Sequence, residues 1–214
     1  MNKENTQELV LKSLNWRYAT KVFDPTKKLD ETTLHTIIES GRLSPSSLGL
    51  EPWQFFVIND TITRKKLFEA SNQQKVLDAS HLIVITAQTN IEQIIDERID
   101  RAARIQNQKT EELSAYRTFL ENSILAKKSD GSLISWLKAQ TYIPLESMIM
   151  TASLLGVDNG PMEGFDIKQV DEILNLNSQN LTAVTMLALG YRGEDPASLR
   201  PKVRKDFKEA VRVI

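Results

Sequence analysis

The amino-acid sequence predicts an α+β fold, and three observations carry the prediction. Helical periodicities and strand-like runs are interspersed without the regular βαβα alternation of a doubly wound sheet. Two runs, "LIVITAQ" at 82–88 and "LTAVTMLALGY" at 181–191, are apolar on both faces, the mark of strands at the centre of a sheet. The stretch from Ala139 to Leu155 carries a single charge, Glu146, and is apolar on most sides. A helix of that kind belongs in the middle of an assembly, so part of its burial is expected from a second subunit.

The elements follow in order. Residues 6–16 read as an amphipathic helix with Leu9, Val10, Leu11 and Leu14 near one face. Asp30 can N-cap a second helix whose buried stripe is Leu34, Ile37, Ile38 and Gly41. The link "SPSSLGLEPW", 44–53, offers more hydroxyls and backbone amides than a turn needs. "WQFFVI", 53–58, is a strand, and Asp60 can cap a helix over 61–70. Beyond the strand at 82–88, residues 91–106 repeat Ile91, Ile94, Ile95, Ile99, Ala102 and Ala103 on a charged background, a helix with one buried side. Residues 107–134 are polar and poorly periodic, and are expected to be a mobile, partly helical excursion. A helix over 135–156 is expected to be kinked or restarted at Pro144 and ended by Gly156. A short helix at 167–175 precedes the strand at 181–191, and 200–214 is a basic tail.

A chain of 214 residues is long enough for one domain, 1–214, with a sizeable core. Its net charge of −1 makes no whole-chain case for nucleic acid or an anionic membrane. The absence of cysteine removes disulfides, thiol catalysis, iron–sulfur clusters and zinc–thiolate sites. "MNKENTQELVLKSLNW" has no apolar core of signal-peptide type, and no apolar run approaches a membrane span, so a cytoplasmic protein is expected.

Side chains suited to carry a reaction are missing. No GxGxxG follows a strand, and there is no GxxxxGK[ST] and no GxSxG. His35 and His81 lack metal-ligand spacing and read as structural, and no metal is expected. The charges of "IIDERIDR" read as a solvated helix face. An enzyme built this way would depend on a bound organic cofactor. Donors do occur in separate segments. Arg17 and Lys21 lie in "NWRYATKVF", where alone they read as cations complementing a helix C-terminus. Asn72 and Lys75 lie in "SNQQKVLDASH", a Glu163–Gly164 turn in "PMEGFD", and Lys202 and Arg204 in "RPKVRKDF". Converging, such groups would suit a phosphate and the electron-accepting edge of a flavin.

The order of "RYATKVFD", "SPSSLGLEPWQFFV", "NQQKVLDASH", "LLGVDNGPMEGFD" and "RPKVRK" resembles the nitroreductase family of FMN-dependent NAD(P)H oxidoreductases, closest to its oxygen-insensitive nitroreductase and dihydropteridine reductase branch. The resemblance implies a central mixed sheet flanked by helices, in an intertwined homodimer whose C-terminal arms cross to the partner's sheet. Two FMN sites at the interface would take hydride from NADH or NADPH. Arg17, Tyr18, Ala19, Thr20 and Lys21 would line one edge of FMN, with Lys21, Lys75 and Asn72 at the pyrimidine ring. Lys202 and Arg204 would hold the phosphate, and backbone amides of Glu163 and Gly164 would face N5. Pro45, Ser46, Ser47 and Gly49 of the other subunit would cover the phosphate and ribityl side. Tyr116 and Phe119 fall in the region that roofs the substrate pocket. The sequence departs from many relatives at Ala19, usually serine, at Gly49, often asparagine, and at Glu51, often glutamine. Reactions implied are ping-pong reduction of nitro compounds or quinones, with enone, azo or dehalogenating chemistry, or a non-catalytic flavin-binding redox sensor, as alternatives.

Overall fold

A computed structural model describes residues 3–214. Helices α1 (Lys3–Trp16) and α2 (Glu31–Arg42) precede β1 (Trp53–Ile58), α3 (Thr61–Ser71), α4 (Lys75–Asp78) and β2 (His81–Gln88). Then come α5 (Ile91–Gln106), α6 (Ser114–Ser129), α7 (Leu133–Gln140), α8 (Tyr142–Leu154), β3 (Asp158–Met162), α9 (Ile167–Ile173), β4 (Leu181–Gly190) and α10 (Phe207–Ala210). The expected caps form: Asp30 accepts from the Thr33 amide at 2.8 Å and Asp60 from the Thr63 amide at 2.6 Å.

The sheet has the order β1-β2-β4-β3, so the two apolar strands are central, as their sequences require. The expected mixed sheet is corrected. All three ladders are antiparallel, and the only parallel pairing among the described residues is the isolated bridge Ala19–Asn159. The reason is strand order: β2 and β3 run in the same sense, but β4 lies between them and opposes both, so no two parallel strands are neighbours.

Strand alternation splits the core into two layers. Leu82 and Val84 join Leu67, Val76, Met186 and Ala188 on the side of α3, α4 and α9. Ile83 and Ile85 join Ile37, Met148, Ala152 and Leu187 under α2 and α8. These helices approach closely at Gly41, where a Cβ would fall 2.4 Å from the Met148 Cε. Arg64, buried, ties the first layer together by donating to the carbonyls of Ile58, Ala79 and Ser80 at 2.7–3.0 Å.

A third cluster packs the helical part expected in 107–134 against the rest of the chain. Leu120 and Ile124 on α6 are fully buried against Leu50, Ile94, Ile99 and Leu137. Exposed Ser114, Glu121, Lys128 and Ser129 on the outer face of α6 mask the periodicity of its inner face. The long apolar helix is two: the break falls at Thr141, and Pro144 sits in the first turn of α8, where its missing N–H has no partner to lose. Strand β3, "DNGPM", went unread because Gly and Pro argue against a strand, yet at a sheet edge both are tolerated. The apolar face expected on α1 stays open in the single chain, with Leu9, Leu11 and Leu14 exposed.

Candidate functional site

The segment after α1 runs extended and is held by an acid that sequence reading missed. Asp195, buried, accepts from the Lys21 amide at 2.8 Å, the Tyr18 hydroxyl at 2.9 Å, the Ala197 amide at 2.9 Å and the Val22 amide at 3.2 Å. Burial alone would raise its carboxyl, but these donors outweigh burial and hold it below the ordinary value. The Tyr18 phenol is pushed up to about 12, by burial first and then by its bond to Asp195. Arg192 lies 4.4 Å from the Trp16 ring and 4.7 Å from Tyr18, and donates to Asp158 at 2.7 Å. The Thr20 amide donates to the Asn159 carbonyl at 3.0 Å beside the Ala19 bridge. Tyr18 and Thr20 are therefore built into the scaffold, and Lys21 points to the surface.

Lys75 opens α4 beneath this segment. It is 3% exposed, and its Nζ has one contact, the Pro161 carbonyl at 3.4 Å. Burial and then the charge of Lys21 depress its pKa from 10.5 to about 8. No carboxylate pairs with it among the described residues. Gly160 makes room for this arrangement: a Cβ there would lie 2.8 Å from the Thr20 carbonyl and 3.3 Å from the Lys75 Cδ.

The Glu163–Gly164 turn follows β3 and is held from both sides. Gln73 donates to the Gly164 carbonyl at 2.8 Å, next to Asn72 in the left-handed C-cap of α3. Tyr142 donates to the Glu163 carboxylate at 2.6 Å, and that bond, with burial, raises the phenol to about 12. Leu145, Pro161, Met162, Glu163 and Thr185 line an adjoining cavity of about 310 Å³. The Thr185 hydroxyl is buried with no partner.

At the other end, Lys202 rather than Arg17 or Lys21 caps α1. Its Nζ donates to the Leu14 and Asn15 carbonyls at 2.5 and 2.6 Å. Burial and then Arg17, Arg204 and Arg192 lower its pKa. The Arg17 Nε is buried without a partner. Arg204 is exposed and, among the described residues, donates only to the adjacent Val203 carbonyl.

The serine loop sits apart from these groups. No hydrogen bond or ion pair joins Pro45, Ser46, Ser47 or Gly49 to Lys21, Lys75 or Glu163 within the chain, among the described residues. The Ser46 hydroxyl accepts from the Glu51 amide at 2.7 Å, the Ser47 amide donates to Gln140 at 2.9 Å, and the Gly49 amide donates to the Ser46 carbonyl. Leu48, Gly49 and Glu51 are all left-handed, at φ 60°, 65° and 49°. The two non-glycine residues store roughly 1–2 kcal/mol each. Tyr116 holds Leu48 by donating to its carbonyl, and Arg101 neutralises Glu51 in an ion pair. The Tyr116 hydroxyl thus serves the loop, and Phe119, stacked 6.5 Å away, is exposed. Among the described residues no group of acids and histidines is placed to hold a metal, and none of their helices is long and apolar enough to cross a membrane.

The model of the nitroreductase family matches residues 14–191, which include most of these groups. The chain belongs to the nitroreductase family. A Staphylococcus haemolyticus protein provisionally named an NAD(P)H nitroreductase is 35% identical, over 96% of this chain and 97% of its own. A nitroreductase-like protein of Streptococcus mutans superposes with a TM-score of 0.84 at 19% identity, over 97% of this chain and 99% of that one. A nitroreductase of Exiguobacterium sibiricum, provisionally so named and solved in complex with FMN, gives 0.79 at 19% identity, over 96% and 97%. The α+β nitroreductase fold is that of this chain, with the Lys75 site at one edge of its sheet.

Proposed function

We propose that this nitroreductase-family chain is a single cytoplasmic domain acting as a homodimeric FMN-dependent NAD(P)H oxidoreductase on nitro compounds, quinones or similar flat acceptors. The observation that carries the reading is Lys75, a buried ammonium with no counter-charge and a second cation, Lys21, beside it. Burying an unpaired cation costs several kcal/mol, and such an arrangement is maintained where an anion from outside completes it. FMN suits the donors present. Lys21, Lys75 and Asn72 would hold the pyrimidine edge, where reduction places negative charge. Arg17, with its orphaned Nε, would join Lys202 and Arg204 on the phosphate. Ala19 offers no hydroxyl, so phosphate binding would lean on those three cations.

Bound FMN would supply the electron chemistry, taking hydride from NADH or NADPH and giving it to an acceptor in alternation. The chain's own part is binding and bias. Lys75 and Lys21 favour the more negative state, the Glu163 and Gly164 amides are presented by a turn that Tyr142 and Gln73 fix, and Leu145 and Met162 give the open cavity an apolar lining. No side chain is required as acid or base. A second subunit is supported by the open face of α1 and by a groove of about 670 Å³ lined by Leu14, Ile143 and Met150. Exposed Val203, Phe207 and Val213 in the tail give a crossing arm something to bury.

The test is spectroscopic. The purified protein is expected to show flavin bands that bleach under NADH or NADPH and return when a quinone or nitrofuran is added. Flavin that ignores both nicotinamides would reduce the reading to a binding module, and a chain that takes up no flavin would end it.

A further inference from the structure

The donors that the sequence assigned to the serine loop are mostly engaged inside the chain. The Ser47, Gly49, Leu50 and Glu51 amides donate to Gln140, Ser46, Ser47 and the Ser46 hydroxyl. The free donors at this loop belong instead to Arg98 on α5. Gly49 has no side chain, and the Arg98 guanidinium occupies that space: a Cβ on Gly49 would lie 3.1 Å from Nη2, 3.3 Å from Cζ and 3.6 Å from Nε. Arg98 Nε donates to the Tyr116 hydroxyl at 3.3 Å, and that hydroxyl donates to the Leu48 carbonyl, so the guanidinium is fixed to the loop by two routes.

Its neighbours are paired and Arg98 is not. Arg101 pairs with Glu51, Arg117 with Asp96 and Lys128 with Glu92, whereas no carboxylate lies within ion-pair distance of Arg98 among the described residues. A half-buried, oriented guanidinium with both Nη groups unengaged among the described residues is a fork for a phosphoryl group.

The geometry points to Arg98 as a phosphate ligand presented by the serine loop, contributed across the dimer to the neighbouring flavin site. This rests on the functional reading above. The same chemistry has two sources there, the phosphate monoester of FMN and the pyrophosphate of the nicotinamide dinucleotide. Either way the loop shapes the ligand and the helix behind it supplies the charge.

The test compares wild type with Arg98→Gln, which keeps a donor for Tyr116, and Arg98→Lys, which keeps the charge without the fork. Dimer mass and circular dichroism confirm folding, and fluorescence titration of flavin-stripped protein with FMN gives the FMN Kd. Turnover is measured with NADH, with NADPH and with 1-benzyl-1,4-dihydronicotinamide, a hydride donor without phosphate. A ten- to hundredfold weaker FMN Kd in Arg98→Gln, partly restored in Arg98→Lys, assigns the contact to FMN. A similar rise in KM for the dinucleotides, with benzyl-dihydronicotinamide unaffected, assigns it to the pyrophosphate. Unchanged FMN Kd and unchanged dinucleotide KM overturn the inference while leaving the function standing. A wild type that binds neither FMN nor dinucleotide overturns both.

Discussion

Replacing Lys75 with methionine separates the stability of the protein from its function. The substitution keeps an unbranched chain of similar length in the buried slot and removes the charge. Depression of the lysine from 10.5 to about 8 sets the scale. At about 1.4 kcal/mol per pKa unit, the folded, flavin-free protein carries a penalty of at most roughly 3 kcal/mol. Relaxation of the protein around the buried ammonium brings the expected value to about 2 kcal/mol. The sign follows from which state binds the proton more tightly. Below pH 8 the lysine is charged in both states and the whole penalty is present. Between pH 8 and 10.5 the folded state releases its proton first, so the unfolded state holds more protons and stability rises with pH. Urea unfolding of flavin-stripped protein at pH 7, 8.5 and 10 therefore should show Lys75→Met more stable than wild type at pH 7 by about 2 kcal/mol, with the gap closing by pH 10. Lys202 is also depressed and contributes alkaline drift to both proteins, so the difference between them isolates Lys75. A variant that is less stable at pH 7, or a gap that does not change with pH, would refute the claim that this site holds an uncompensated cation.

Three further outcomes are expected. Arg64→Met leaves the Ile58, Ala79 and Ser80 carbonyls without their donor, and should lower unfolding free energy by about 3–5 kcal/mol, read as a lower urea midpoint at constant slope. Asp195→Asn loosens the segment carrying Arg17 and Lys21, and should weaken FMN about tenfold by fluorescence titration; an unchanged Kd would show that the segment is held by other contacts. Lys21→Ala removes the charge beside Lys75, and should slow flavin reduction in stopped flow without dissociating the dimer.

What was legible in the sequence followed from local physics. Asp30 and Asp60 announced their helices because a cap needs only three residues of context. Strands 53–58 and 82–88 were readable because burial on one or both faces is written directly into residue type. Pairings across long separations were not. Asp195 has nothing in its local sequence to mark it, yet it organises residues 18–22. Arg98 looked like part of a solvated helix face, because the glycine whose empty side it fills is far away in sequence. Strand β3 carries the turn that Tyr142 and Gln73 hold, and its Gly160 and Pro161 disguise it. Lys75 was picked out as a donor, but its burial depends on the fold rather than on its neighbours in sequence. The stretch 107–134 stayed obscure because its polar outer face conceals Leu120 and Ile124.

The central claim is that two copies of this chain together hold flavin mononucleotide. Native mass spectrometry of protein supplemented with FMN tests it most directly. The account predicts two chains carrying two flavins, both lost when the dimer is forced apart; a stable single chain that retains one flavin, or a dimer that retains none, would contradict it.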